Sequence, residues 1–248
     1  MSYAPSDLEF SKPSASSQSA SCYAFGDVGL AIRSKDPDWL GLVSQRFNGF
    51  EMSCAPRFEI ELCHTALQPP QLSSPLDIHL ESQQVVETNE GFLIETPTCR
   101  FEVDLESRGA RIDGPRALYP LDNLLRHLLP FLWQDGLVFH AGAISDGKKG
   151  FIACGPSGAG KSTLMALLGA EALCDELTAL RFVDQGALLH SLPFWNARPG
   201  SARLHGLLVL RHGEDHELRR LSASESFRRL SSLILWPLDK AWALEKTL

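Results

Sequence analysis

Gly155, Pro156, Ser157, Gly158, Ala159, Gly160, Lys161 and Ser162 follow the pattern G-x-x-x-x-G-K-[ST]. Each part of that spacing has a chemical reason. The glycines let the backbone turn its N–H groups inward around phosphate oxygens. Lys161 brings a positive charge to the β and γ phosphates, and the Ser162 hydroxyl suits Mg2+. A helix beginning here aims its positive end at the same phosphates. With ordinary residue usage, the four fixed positions arise by chance in roughly 1% of chains this long. The alternative is a glycine-rich turn that binds nothing. The flanking residues favour the first reading: Gly150–Cys154 reads as a strand, and a helix is predicted from Ser162 to about Leu168, with Gly169 as its C-cap.

The next carboxylates are Asp175 and Glu176, and Asp175 lies 14 positions after Lys161. A helix of about eight residues rises roughly 12 Å. Ala172–Cys174 then has room to return as a strand parallel to the one before the loop. Parallel strands end on the same sheet edge, so Asp175 is expected beside the phosphate loop. One carboxylate of the pair would ligate Mg2+ and another would take a proton from an attacking hydroxyl, as phosphoryl transfer requires. The competing reading is an acidic pair that caps a surface turn.

Other elements must hold these groups in place. Leu121, Leu124, Leu125, Leu128, Leu129 and Leu132 recur at helical spacing, and Pro130 is expected to kink that helix or begin a second. Leu137–Ile144 and Gly150–Cys154 read as a hairpin turned at 145–149. Strands are predicted at Leu177–Val183, Ala187–Leu192, Leu207–Leu210 and Leu218–Leu221. Ser222-x-x-Glu225 is a capping box opening a last helix to about Leu235, ended by Pro237. Upstream, residues 1–21 hold eight serines and read as a mobile tail, and Gln68–Pro75 reads as a loop. From Cys22 to about Glu106 the pattern is short antiparallel strands, with Phe58, Ile60 and Leu62 on one face and Phe101, Val103 and Leu105 on another. Asp38–Val43 reads as a short helix.

The order of these features resembles the HPr kinase-like group of P-loop proteins, whose nucleotide domain is related to phosphoenolpyruvate carboxykinase. The strand His140-Ala-Gly-Ala143, the loop after a short turn, and an acidic pair after one short helix match in order over about residues 121–235. The resemblance implies an α/β fold (α+β overall), with a carboxykinase-like P-loop domain at 121–248. A β-rich region at 22–120 and the tail at 1–21 precede it. It implies a kinase that uses ATP and Mg2+ to phosphorylate a hydroxyl, with a serine of a peptide or protein as acceptor partner. Gly155 to Thr163 would bind the triphosphate, with Ser162 and Asp175 toward the metal and Glu176 in a metal or structural role. Asp175 would be the general base, Lys161 would steady the γ-phosphoryl charge, and His140 would sit near the transferred phosphate; read alone, His140 is a core histidine. The family's later Glu-x-Arg-Gly-Leu-Gly-type segment has no counterpart, since no acidic residue occurs between Gln185 and Gly213. Arg198 and Arg203 in that region could contact phosphate or substrate, or lie in a solvated loop. A small-molecule hydroxyl kinase and a nucleotide-binding sensor without turnover are the alternative functions. An ATP-binding-cassette ATPase is not expected: only 86 residues follow Ser162, and no Leu-Ser-Gly-Gly-Gln occurs.

Three minor candidates complete the reading. Trp195 could stack on an adenine or pack against the sheet. His212, Asp215 and His216 could ligate a metal or simply form a turn. Cys154 and Cys174 flank the expected site as small strand residues or redox groups. Composition supplies the bounds. The chain has 248 residues and net charge −7, which argues against a nucleic-acid partner. Residues 1–130 carry net −8 and residues 131–248 net +1, so an anionic ligand is expected in the second part. No apolar run reaches membrane-span length, and no signal peptide opens the chain. Six cysteines without C-x-x-C pairs read as reduced thiols of a cytoplasmic protein.

Overall fold

The computed structural model describes residues 19–53, 55–65, 83–88, 90–133, 135–156, 158–213 and 217–236. It is a mixed α/β chain with two mostly β sheets and four α-helices among those residues. The expected loop at Gln68–Pro75 and residues 1–18 of the expected tail lie outside them. Contacts divide the chain into two units. One comprises residues 1–22, 29–44 and 53–124. The other comprises 23–28, 45–52 and 125–248. The division falls inside the leucine-rich helix, and two short stretches of the amino-terminal region group with the carboxyl-terminal unit.

The first unit is built on strands β1 (Ser19–Phe25), β2 (Val28–Ser34), β3 (Phe58–His64), β4 (Gln84–Glu87), β5 (Gly91–Glu95), β6 (Arg100–Asp104) and β7 (Gly109–Gly114). Their order is β1-β2-β3-β7-β6-β5-β4. Helix α1 (Pro37–Arg46) follows β2, and Asp36 caps its first N–H groups. The expected antiparallel sheet is therefore corrected in part: β2 pairs β3 and β3 pairs β7 in parallel, while β4 to β7 form an antiparallel meander. The α1 segment supplies the long crossover a parallel pair needs. Phe58, Ile60 and Leu62 are buried on one face of β3, as their alternation predicts.

In the second unit the strands are β8 (Gly136–His140), β9 (Gly142–Ser145), β10 (Lys149–Cys154), β11 (Ala172–Cys174), β12 (Leu177–Val183), β13 (Gly186–Ser191) and β14 (Ser201–Val209). The order is β11-β9-β10-β14-β13-β12-β8. All neighbours are antiparallel except β10 and β14. β8 and β9 are two halves of one stretch broken at Ala141, and β11 and β12 are two halves of another broken at Asp175-Glu176. Because each half pairs with its counterpart at opposite ends of the order, the sheet curls back on itself. The Thr178 hydroxyl donates to the Ala141 carbonyl at 3.0 Å, satisfying a backbone group that the break frees.

Helix α2 (Tyr119–Leu132) runs through Pro130 in its last turn, with no second helix starting there. Helix α3 (Lys161–Leu168) packs Met165 against Ala153, Ile144 and Ala172, while Ile152 and Cys154 face a second cluster with Phe139, Leu180 and Leu189. The period of two along β10 thus buries both faces of the strand that ends at the loop. Gly142 lets α3 and β11 approach: a Cβ there would lie 2.9 Å from the Met165 methyl and 3.2 Å from the Cys174 carbonyl. Helix α4 (Ala223–Ser231) is capped by Ser222, which accepts from the Glu225 N–H at 3.2 Å. It stops short of the expected Leu235, because residues 233–235 bond instead to β8. The strand expected at Leu218–Leu221 does not form, and Leu207–Leu210 belongs to the longer β14.

Candidate functional site

β10 ends at Cys154 and α3 begins at Lys161, so the glycine-rich motif is the loop between a buried strand and a helix. Gly158 and Gly160 have φ of +78° and +92°, conformations L side chains rarely adopt. The N-terminus of α3 has no side-chain cap, which leaves its first N–H groups to the loop's interior. The Lys161 ammonium folds back onto the loop, donating to the Gly155 carbonyl at 2.8 Å and the Pro156 carbonyl at 3.2 Å. Ser162 and Thr163 are exposed on the first turn. Ser157 lies outside the described residues.

The acidic pair occupies the break between β11 and β12. β11 runs in the same direction as β10, with β9 between them rather than directly beside it. The registers Cys174↔Ala143 and Ala143↔Ile152 put Asp175 level with the end of β10. Two strand spacings separate them, roughly 10 Å. Asp175 is half-buried, and its Oδ1 has no hydrogen-bond partner. Burial raises its carboxyl above the ordinary value.

Glu176 has a different environment. It is 3% exposed and forms a buried ion pair with Arg126 of α2. Burial raises its carboxyl, and Arg126 opposes the rise. The Arg126 guanidinium stacks on the Phe194 ring at 5.2 Å, and Arg46 stacks on Trp195 at 4.8 Å. The charge of Arg46 also reaches Glu176. Trp195 has φ of +52°, a left-handed conformation that is costly for a bulky side chain. The loop carrying both aromatics is tied to β11 by the Arg198 N–H, which donates to the Leu173 carbonyl at 2.7 Å. Glu176 is thus paired with Arg126 through Oε1, while its buried Oε2 has no hydrogen-bond partner. Among the described residues, no three His, Cys, Asp or Glu side chains converge on a metal position.

His140 closes β8 in register with Leu177, two residues past Asp175, so the fold brings it to the acidic pair. The two arginines expected at phosphate are not brought there. The Arg198 guanidinium bonds the Gly169 carbonyl, at the far end of α3 from the loop. Arg203 is in register with Lys149, at the opposite end of β10 from the loop, and donates to the Gln185 carbonyl at 3.0 Å. Of the metal trio, Asp215 and His216 lie outside the described residues. The His212 Nε2–H donates to the Gly158 carbonyl at 2.6 Å. Burial raises the thiols of Cys154 and Cys174, the latter to about 11, which makes them poor nucleophiles.

Sequence reasoning missed Arg126 and Arg46, and named His212 only as a metal ligand or turn residue. Arg126 left a signal, a charge inside an apolar helical run, because a buried arginine needs a partner. Arg46 left none. The chain matches no family model and no curated protein. No helix among the described residues is long and apolar enough to cross a membrane.

Proposed function

We propose that this chain is an ATP-dependent kinase that transfers the γ-phosphoryl group to a hydroxyl, with a peptide or protein serine as acceptor. The observation that supports it most is the shared sheet edge. The motif loop follows β10, and Asp175 follows β11, which runs in the same direction. The spacing of roughly 10 Å between them suits a phosphate and an acceptor hydroxyl.

In this reading the loop backbone, the α3 N-terminus and Lys161 hold the triphosphate, and Lys161 exchanges its carbonyl partners for phosphate oxygens. Asp175 accepts the proton of the acceptor hydroxyl. The hydroxyl oxygen forms its bond to the γ-phosphorus as the bond to the bridging oxygen breaks, and ADP leaves. The raised carboxyl of Asp175 makes it a better base than an exposed aspartate. Ser162 and Asp175, whose buried Oδ1 has no partner, would be the residues to hold a Mg2+ ion, which would neutralise phosphate charge. The Glu176–Arg126 pair fixes the strand break that carries Asp175, and His140 stands beside it.

The test is γ-labelled ATP with a lysate or peptide pool, comparing wild type with Asp175→Asn. Label on peptide that vanishes in the variant is the expected result. Label on a small metabolite would redirect the reading to a small-molecule kinase. Tight ATP binding with no transfer to either would leave a nucleotide-binding module and sink the kinase assignment.

A further inference from the structure

The stretch that leaves β14 runs along the motif loop on the side away from Asp175, because β14 and β9 flank β10 on opposite sides. The Leu210 N–H donates to the Cys154 carbonyl at 2.7 Å, and His212 holds the Gly158 carbonyl at 2.6 Å. The chain from here onward is rich in arginine, though residues 211–229 also carry Glu214, Asp215, Glu217 and Glu225. Five of the sixteen arginines fall within residues 211–229, too dense a grouping to be spread evenly over the surface.

Three of them converge on one carboxylate. Arg229 pairs with Glu225 at 2.7 Å, Arg219 approaches it at 3.9 Å, and the charge of Arg211 reaches it as well. Together they hold the Glu225 carboxyl below the ordinary value, led by the Arg229 hydrogen bond. The charge of Arg229 also reaches Cys154, the last residue before the loop. One carboxylate balances one guanidinium. Against Glu225 alone, two guanidinium charges of the three stand over, next to the glycine-rich loop that His212 contacts.

We propose that Arg211, Arg219 and Arg229, steadied by His212 on the loop, form a second wall of the phosphate site and bind the phosphate chain of the nucleotide. This rests on the reading of the loop as a nucleotide site. It gives the phosphate-contacting role to arginines that follow β14, in place of Arg198 and Arg203. Glu225 serves as the counter-ion that keeps the guanidinium groups converged, and a polyphosphate with several charges competes for them. Guanidinium groups suit this task because their N–H forks match phosphate oxygens.

The experiment is calorimetric titration of the full chain, with Mg2+, against ATP, ADP and AMP. Arg211→Ala and Arg219→Ala are compared with wild type, with Arg203→Ala as the control at the other end of β14. Loss of one charge-assisted contact should weaken ATP by about tenfold or more, with AMP much less affected. Arg211→Lys should recover part of the loss, and Arg203→Ala should bind like wild type. Wild type that binds ATP with both variants equally tight would overturn the arginine wall and leave the nucleotide site standing. Wild type that fails to bind ATP would overturn the nucleotide site itself. Variants with unchanged nucleotide affinity but reduced labelling of peptide would place the arginines on the acceptor and refute the present assignment.

Discussion

Replacing Arg126 by leucine isolates the contribution of the buried ion pair behind the acidic site. Arg126 and Glu176 side chains are 7% and 4% exposed, so the pair falls in the buried regime, where solvent screening is weak. Removing one partner of such a pair strands a charge in the interior and costs about 3–5 kcal/mol. The pH dependence follows from Glu176. Burial already raises its folded-state carboxyl, and the loss of Arg126 raises it further. A carboxyl raised in the folded state costs nothing below its unfolded value of about 4.3, where both states are protonated. The cost grows as pH rises through the folded-state value and is complete above it. Urea unfolding followed by tryptophan fluorescence should therefore show a deficit near its maximum at neutral pH that shrinks toward about pH 4. The paired variant Arg126→Leu with Glu176→Leu should recover most of the loss, because an apolar pair strands no charge. A deficit under about 1 kcal/mol at neutral pH, or a double variant as unstable as the single one, would refute the argument.

Three further outcomes are expected. Asp175→Asn should leave ATP affinity within a few-fold of wild type while cutting turnover by about a hundredfold or more; the wild-type turnover should fall with acid at a pH above the usual aspartate range, because protonation of the raised carboxyl removes the base. Equal turnover in the variant would remove Asp175 from the chemistry. Ser222→Ala should lower stability by about 1 kcal/mol, read as a fall in melting temperature, because the Glu225 N–H loses its acceptor. Trp195→Gly should be about 1 kcal/mol more stable than Trp195→Ala, since both lose the indole and only glycine is relaxed at φ +52°. The two variants melting together would show that the left-handed backbone there is not under strain.

Much of the local architecture was legible in residue types. The glycine, lysine and serine of the motif sit between a strand and a helix because the short apolar run Gly150–Cys154 gives way to helical spacing after the loop. Ser222 and Glu225 marked a helix start for the same local reason, a side chain able to reach an orphan N–H three residues on. Where that helix ends was not legible, because its stop is set by bonds from residues 233–235 to β8, nearly a hundred residues upstream. Leu218–Leu221 shows the opposite failure: two leucines flank Arg219 and Arg220, and that pattern forms no strand.

By itself, the sequence determined the glycine-rich loop between a strand and a helix, the acidic pair one short helix later, and the apolar faces that pair strands and bury helices. Those depend on neighbours within a few residues, whose backbone and side-chain preferences act locally. Only the tertiary structure separated the two carboxylates, leaving Asp175 half-buried and locking the almost fully buried Glu176 against Arg126. It also moved Arg198 and Arg203 away from the loop and brought Arg211, Arg219 and Arg229 around Glu225 beside it. The reason is physical: burial and charge pairing act through space, between residues that strand order and register bring together and that sequence spacing leaves far apart.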